Sequence, residues 1–493
     1  MHYIRLLRPP SVCQLGQASS SLGLVLTITT DLGESFLAPD APIDIAVELV
    51  VETIEDEVDE PRDGENDDEK PHTKKVVKTR VINLPLSASS TASTGKASRA
   101  NRVQKSAAAV GSRAPSWRAG LRVLKVDAWL SKDAEYCVWG TPLRPTLTVM
   151  KRRICIRTAD KKLSATRARQ LFDSSSADSG HGDGSIMPLW LDVPDTADKE
   201  FPRVALRQLL LHDGVAASGA GACLATCVEV EEDIGESIAR HVWDAGLMAV
   251  AFLADTCLEQ LLSPRRLQEE DQDRQNAPSA EPSSLSESLH GILLSQQIQE
   301  SGKPLRVLEL GSGVGILGLG LAAIIQEARR RAFYLNQARD CNTMFVLTDL
   351  PDAEEHARAN MARSSAVSLQ YENLDWEDGR VGRFGPVVAG NNIGPESGNT
   401  WDLVVLSDCT YNVDMLPALV ETLVALSSLN RAQDAQPLSV FLARKPRHVS
   451  EEALFSLMAA HGWTVAASKA VRLPVLHGDA EVVELFLYVK AQG

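Results

Sequence analysis

No uninterrupted apolar run in the 493 residues reaches the ~18 that a membrane-spanning helix needs. Cysteine is sparse and scattered: there are 8, and the nearest pair, Cys223 and Cys227, has three residues between them. With no CxxC and no clustered Cys/His set, neither a structural zinc nor a disulfide framework is expected, and no metal site. A reducing compartment, the cytosol or the nucleus, is the expected location. Positive charge is in deficit, 50 Lys and Arg against 65 Asp and Glu, for a formal net charge of −15. That balance argues against a protein whose whole surface grips nucleic acid and leaves a local basic patch open; nucleic acid is not expected as a partner, nor, with no apolar run of spanning length, is a membrane. Arg5 and Arg8 interrupt the opening MHYIRLLRPP, which does not read as a leader peptide. Internal repeats are also missing, which removes solenoid architectures.

What is present is ordinary globular composition, 44% hydrophobic and 23% charged, in a chain long enough for two or three domains. Composition divides it. Residues 52–69 are dominated by carboxylates, a basic stretch follows from Lys74 to Arg80, and then comes a run rich in Ser, Ala and Thr. Too little apolar surface is available there to offset ordering entropy, so 52–118 is expected to be a disordered insertion. A polar linker is expected over 263–289. Around these stretches, residues 22–30, 43–53, 121–130 and 146–158 read as strands rich in β-branched residues. Residues 1–200 are accordingly a β-rich accessory region, and 201–493 a second domain.

From about 223 the pattern becomes α/β. An apolar helical stretch covers 238–262. Strand patterns at 305–310, 344–349, 367–376, 402–408 and 438–445 alternate with helical ones, including 414–428 and 450–461. Two further strands close the chain. This order predicts a doubly wound, Rossmann-like sheet of seven strands with an antiparallel last strand.

Chemistry concentrates at three strand ends. The first is Glu309-Leu-Gly311-Ser-Gly313-Val-Gly315, where glycines permit a tight turn and close approach of a nucleoside to a helix N-terminus. Gly313-x-Gly315-x-x-Gly318 also fits the dinucleotide fingerprint, so spacing alone does not separate a nicotinamide or flavin cofactor from S-adenosylmethionine. The second is Asp349, which ends the next strand and suits a ribose; helix capping by the same side chain is compatible with that role. The third is Asp408-Cys-Thr-Tyr411, after the fourth strand. Cys409 tempts a nucleophile reading, but no His/Asn arrangement supports one.

With VWDAGL (242–247), VLELGSGVGILGL (307–319), LTDLP (348–352), LDW (374–376), LVVLSDCTYN (403–412) and ARKPRH (443–448) in order, the chain resembles the family 16 seven-β-strand methyltransferases. That group contains many protein-lysine methyltransferases. The resemblance spans roughly 225–490 and implies S-adenosyl-L-methionine as cofactor and a protein substrate. It further implies that Trp243 packs near the methionine end, that Glu309, Gly311, Gly313 and Gly315 form the cofactor loop, and that Asp349 and Leu350 lie at the ribose. Asp375 and Trp376 would meet the adenine, Ser407 the floor, and Asp408 and Tyr411 the substrate wall, as catalytic residues. Core packing competes for Trp243, Trp376 and Tyr411, and helix-end roles for His448 and His461. Other acceptors remain open: an arginine, a histidine, a terminal amine or a small-molecule nitrogen. So do two other classes, a nicotinamide-dependent reductase and a non-catalytic interaction module.

Overall fold

Along β1 (His2–Leu6), alternate side chains face opposite ways: Ile4 and Leu6 enter one apolar core, while Tyr3 enters another. That alternation runs through the N-terminal region, a β-sandwich set against an α/β domain. The computed structural model of the chain describes residues 1–14, 20–58, 73–88, 114–130, 148–173, 182–194, 200–213, 225–235, 240–259, 284–294, 304–334, 343–366, 368–390, 400–431, 437–476 and 481–490.

The sandwich strands continue as β2 (Ser11–Gln14), β3 (Ser20–Thr29), β4 (Ile43–Val58), β5 (Thr73–Asn83), β6 (Leu86–Ala88), β7 (Ser116–Trp117) and β8 (Leu124–Leu130). After them come β9 (Thr148–Thr158), the short helix α1 (Ala168–Asp173), β10 (Ile186–Met187), β11 (Leu189–Asp192), β12 (Val204–His212) and β13 (Thr226–Asp233). One sheet has the order β10-β1-β3-β8-β6, with β2 on β3. The other runs β13-β12-β11-β9-β4-β5, with β7 on β4. Leu22, Leu24 and Val126 of the first sheet meet Val47, Leu49 and Ile154 of the second in the sandwich core.

Three expectations need correction. Within 52–118, strands β5, β6 and β7 and the end of β4 are ordered; 59–72 and 89–113 lie outside the described residues. The antiparallel register sets Glu57 opposite Lys74 and Asp56 opposite Lys75, so the acidic and basic stretches that suggested disorder are two halves of one hairpin. The β-rich region also runs past 200, because β12 and β13 complete its second sheet. Finally, the expected linker 263–289 ends inside a helix that begins at Leu285.

The α/β domain opens with α2 (Asp244–Ala254), which runs into one π-helical turn at Asp255–Glu259, and α3 (Leu285–Leu294). Then follow β14 (Leu305–Leu310), α4 (Ile316–Tyr334), β15 (Thr343–Asp349), α5 (Pro351–Arg363), β16 (Leu369–Asn373) and α6 (Trp376–Gly379). The chain continues through β17 (Leu403–Ser407), α7 (Leu416–Arg431), β18 (Ser439–Arg444), α8 (Ala453–Ala460), β19 (Trp463–Arg472) and β20 (Val482–Lys490). The sheet order is β16-β15-β14-β17-β18-β20-β19, parallel through β18, with β20 antiparallel to both neighbours. The doubly wound sheet with its antiparallel last strand is therefore as the alternating pattern predicts.

β14 is buried along its whole length. Leu305 and Val307 join α2, α3 and α4 in one core, while Leu308 and Leu310 join α7 and α8 in the other. Val413–Asn430 is apolar and long enough to pass for a membrane span, and its Leu416, Leu419, Leu423 and Leu426 are buried in that second core. The first core also takes Leu209 and Leu211 from β12 and Val228 and Val230 from β13, so sandwich and α/β domain share it. The strand order reverses between β14 and β17, which places a crevice at their carboxyl ends.

Candidate active site

Each wall of that crevice comes from a strand end. After β14 the backbone takes positive φ at Gly311 (66°), Gly313 (53°) and Gly315 (83°). A Cβ on Gly311 would stand 2.7 Å from Cys409 Sγ and 3.3 Å from Trp376 Cζ2, so the approach of these walls requires glycine there. At the end of β15, Asp349 accepts hydrogen bonds from Gly313 N (2.7 Å) and Leu350 N (2.7 Å). Burial raises the Asp349 carboxyl above its ordinary range, against the pull of those two amides. Leu350, half exposed, precedes α5. Asp375 caps α6 by accepting from Glu377 N (2.9 Å), which sets Trp376 at the start of that helix.

The opposite wall is built by β17 and α2. Asp408 has φ 50°, unusual for a residue with a side chain. Its carboxylate accepts from Ala245 N (2.9 Å), in the first turn of α2, and from Lys445 N (3.1 Å). Burial pushes its pKa up to about 6, partly offset by Arg447, whose Nη2 lies 3.6 Å away. Trp243 stands immediately before α2 with the Arg447 guanidinium 5.2 Å from its ring centroid. Arg447 in turn donates to Asp31 of the sandwich at 2.7 and 3.3 Å.

These elements enclose a cavity of about 440 Å³. Of the residues singled out from sequence, Trp243, Gly311, Gly313, Asp349, Leu350, Asp375, Trp376, Ser407, Asp408 and Tyr411 line it. Tyr411 stands at its mouth, 66% exposed. Glu309 and Gly315 do not line it. Glu309 is buried and turned back toward α4, accepting from Gly318 N at 3.0 Å; burial pushes its carboxyl up to about 8. Gly315 lies where a Cβ would meet Leu347 at 2.8 Å, a packing requirement. Both belong to the loop's support rather than its lining. Cys409 donates to the carbonyls of Leu310 and Ser407, and burial holds its thiol far from ionisation, which removes the nucleophile reading. His448 caps the turn at Val449–Glu452 and His461 ends α8.

Sequence reasoning missed His241, Ser312, Leu374 and Met415 in the lining, and Arg447 and Asp31 behind it. Ser312 was within the quoted glycine loop. The Arg447–Asp31 pair spans 416 positions and leaves no local pattern.

The fit of a nucleoside cofactor rests on observations here. Ser312 Oγ is buried with no hydrogen-bond partner beside the cavity, the Gly311–Gly313 loop leaves the space a Cβ would fill, and Asp349 supplies an acceptor next to apolar Leu350, Leu374 and Trp376. Among the described residues, no group of three or more His, Cys, Asp and Glu side chains is placed to hold a metal ion.

Residues 225–461 match the family model described as "Lysine methyltransferase". A UPF0665 family protein of Schizosaccharomyces pombe is 24% identical over 232 residues, which are 47% of this chain and 49% of that protein; the chain thus spans about half the length of this curated relative. Among solved structures, magnesium protoporphyrin IX methyltransferase from Synechocystis PCC 6803 with bound SAH is 13% identical, over 45% of this chain and 95% of that one, at TM-score 0.23. Precorrin-6y C5,15-methyltransferase from Geobacter metallireducens GS-15 is 11% identical, over 44% and 96%, at TM-score 0.25.

Proposed function

We propose that this chain, whose residues 225–461 match the lysine methyltransferase family model, is an S-adenosylmethionine-dependent methyltransferase of family 16 that methylates a lysine side chain of a protein substrate. One observation carries the reading: a single cavity joins the glycine loop, Asp349 and Trp376 on one side to Trp243 and the 407–411 turn on the other. Bound S-adenosylmethionine supplies a methyl carbon on a sulfonium, ready for in-line attack by an amine. The chain's own part is positioning and exclusion of water. Gly311, Gly313 and Asp349 would hold the sugar, and Leu350, Leu374 and Trp376 would cover the base. Asp375 lies beside Trp376 for the base's amino group.

A lysine amine must lose its proton before it attacks, and its ordinary pKa is about 10.4. Burial between Trp243 and Tyr411 favours the neutral form by desolvation, with the proton released to solvent. Tyr411 would orient the nitrogen. Asp408 gives its carboxylate to the backbone of α2 and of Lys445 just after β18, so its part is to fix the wall that carries Trp243.

Calorimetry tests the donor: S-adenosylmethionine should bind and NADH should not, and NADH binding alone overturns the reading. Transfer of a tritiated methyl group to proteins of a cell extract, followed by mass spectrometry, tests the acceptor. Asp408→Ala should lower turnover roughly 100-fold through misplacement of the wall. Wild-type turnover in both Asp408→Ala and Tyr411→Phe would remove these residues from the site.

A further inference from the structure

A second cavity, of about 930 Å³, lies against the outer face of the sandwich and shares His241 and Trp243 with the first. Its floor is the outward face of β1 and β3. Ile4, Leu6, Leu26 and Ile28 turn into the sandwich core, which leaves Arg5, Thr27 and Thr29 on the other face. An outward strand face normally meets water. Here Thr27 and Thr29 are 5% and 4% exposed, and their hydroxyls have no hydrogen-bond partner, nor does Arg5 Nε. Buried polar groups of this kind are costly unless something satisfies them. The charge is unbalanced as well. Asp31, the acid of the cavity, is taken by Arg447, and Glu232 behind it is taken by Arg207. Arg5, whose Nη2 donates to the Asp31 carbonyl oxygen at 2.7 Å, and Arg122 therefore face the cavity without a carboxylate of their own, Arg122 lying over the Phe36 ring at 5.6 Å.

We propose that this sandwich cavity docks the stretch of substrate polypeptide that flanks the methylated residue, and that it selects acidic side chains beside that residue. The inference rests on the methyltransferase reading above. A segment lying along β3 would meet the two threonine hydroxyls with its backbone and the two arginines with its carboxylates. Its acceptor side chain would pass Trp243 into the methyl-donor cavity. The β-rich region is on this account half of the substrate site.

The test uses the full chain and fluorescein-labelled peptides Ala-Ala-X-Lys-X-Ala-Ala with X as Glu, Ala or Arg. Binding is measured by polarisation at saturating S-adenosylhomocysteine. The Glu peptide should bind about tenfold more tightly than the Arg peptide, a difference typical of complementary against like charge. Arg122 is exposed, so Arg122→Glu should fold; it should erase or invert that ratio. The Thr27→Val/Thr29→Val double variant, close in shape, should weaken all three peptides alike. Both variants should keep the wild-type affinity for S-adenosylhomocysteine. Equal binding of the three peptides, or an unchanged ratio in Arg122→Glu, overturns the proposal. Failure of the wild-type chain to bind S-adenosylhomocysteine overturns the methyltransferase reading instead.

Discussion

Gly311 and Glu309 sit two positions apart and answer different physical demands. Gly311 has both a positive φ and a side-chain wall within 2.7 Å. A methyl there would drive Cys409 and Trp376 apart and strain the backbone by about 1–2 kcal/mol. Gly311→Ala should therefore weaken S-adenosylhomocysteine binding by roughly tenfold or more, read by calorimetry. Affinity within twofold of wild type would show that the loop does not need this close approach. Glu309 is a matter of protonation. Its folded pKa, about 8, lies above the ordinary 4.5, so the folded chain holds a proton that the unfolded chain releases. Stability is thus lost as pH rises from about 4.5 to about 8, and the loss is complete above that. Glu309→Gln, neutral at every pH, lacks this slope. Melting temperatures of the two chains measured from pH 5 to pH 9 should diverge in favour of the variant as pH rises. Parallel curves would mean that the carboxyl is ionised in the fold.

Elements differ in how far local pattern announces them. β14, β15, β17 and β18 are buried on both faces and read as short runs of Leu and Val bounded by charged or turn residues, which is why their positions agree closely with the sequence. The ends of β14, β15, β16 and β17, with Trp243 ahead of α2, carry the ten of the twelve expected residues that line the cavity. In the β region the strands expected at 22–30, 43–53, 121–130 and 146–158 are present, whereas β5, β12 and β13 left no readable pattern. β5 reads as a charged run because its pairing with the acidic β4 is a long-range fact. β12 and β13 carry Arg207, Glu231 and Glu232, buried residues whose charges are answered only in the folded state. Asn360 in α5 shows the same thing within a helix. It is wholly buried, accepts from Glu231 N (2.6 Å), and donates to Glu231 O (3.3 Å) and to Val314 O (2.8 Å), tying β13 to the glycine loop. Asn360→Ala leaves these backbone groups without partners and should cost about 2–4 kcal/mol in urea unfolding. A loss below about 1 kcal/mol would indicate that water or a shifted strand replaces the amide.

At the scale of the whole molecule, the family match begins at residue 225, between β12 and β13. That boundary cuts a ladder, since β13 is the edge of its sheet and its strand partner is β12. It also opens the shared core, because Leu209 and Leu211 lie with Val250, Phe252 and Leu253. The ion pairs across the junction point the same way: Arg363 of α5 meets Asp192 of β11 and Glu231 of β13, while Arg447 meets Asp31. Removal of one side leaves buried Asp31 and partly buried Arg447, Arg363 and Asp192 unanswered, a loss larger than that of an exposed pair. The sandwich and the α/β domain should consequently unfold together. In urea, circular dichroism and tryptophan fluorescence of the full chain should trace one transition, and S-adenosylhomocysteine should shift it as a whole. A fragment of residues 225–493 should bind the dye that reports exposed apolar surface and should not bind S-adenosylhomocysteine. Recovery of full-chain affinity by that fragment would mean that the sandwich merely sits beside the site; its loss, with one transition in the intact chain, means that the donor cavity exists only where both halves close on it.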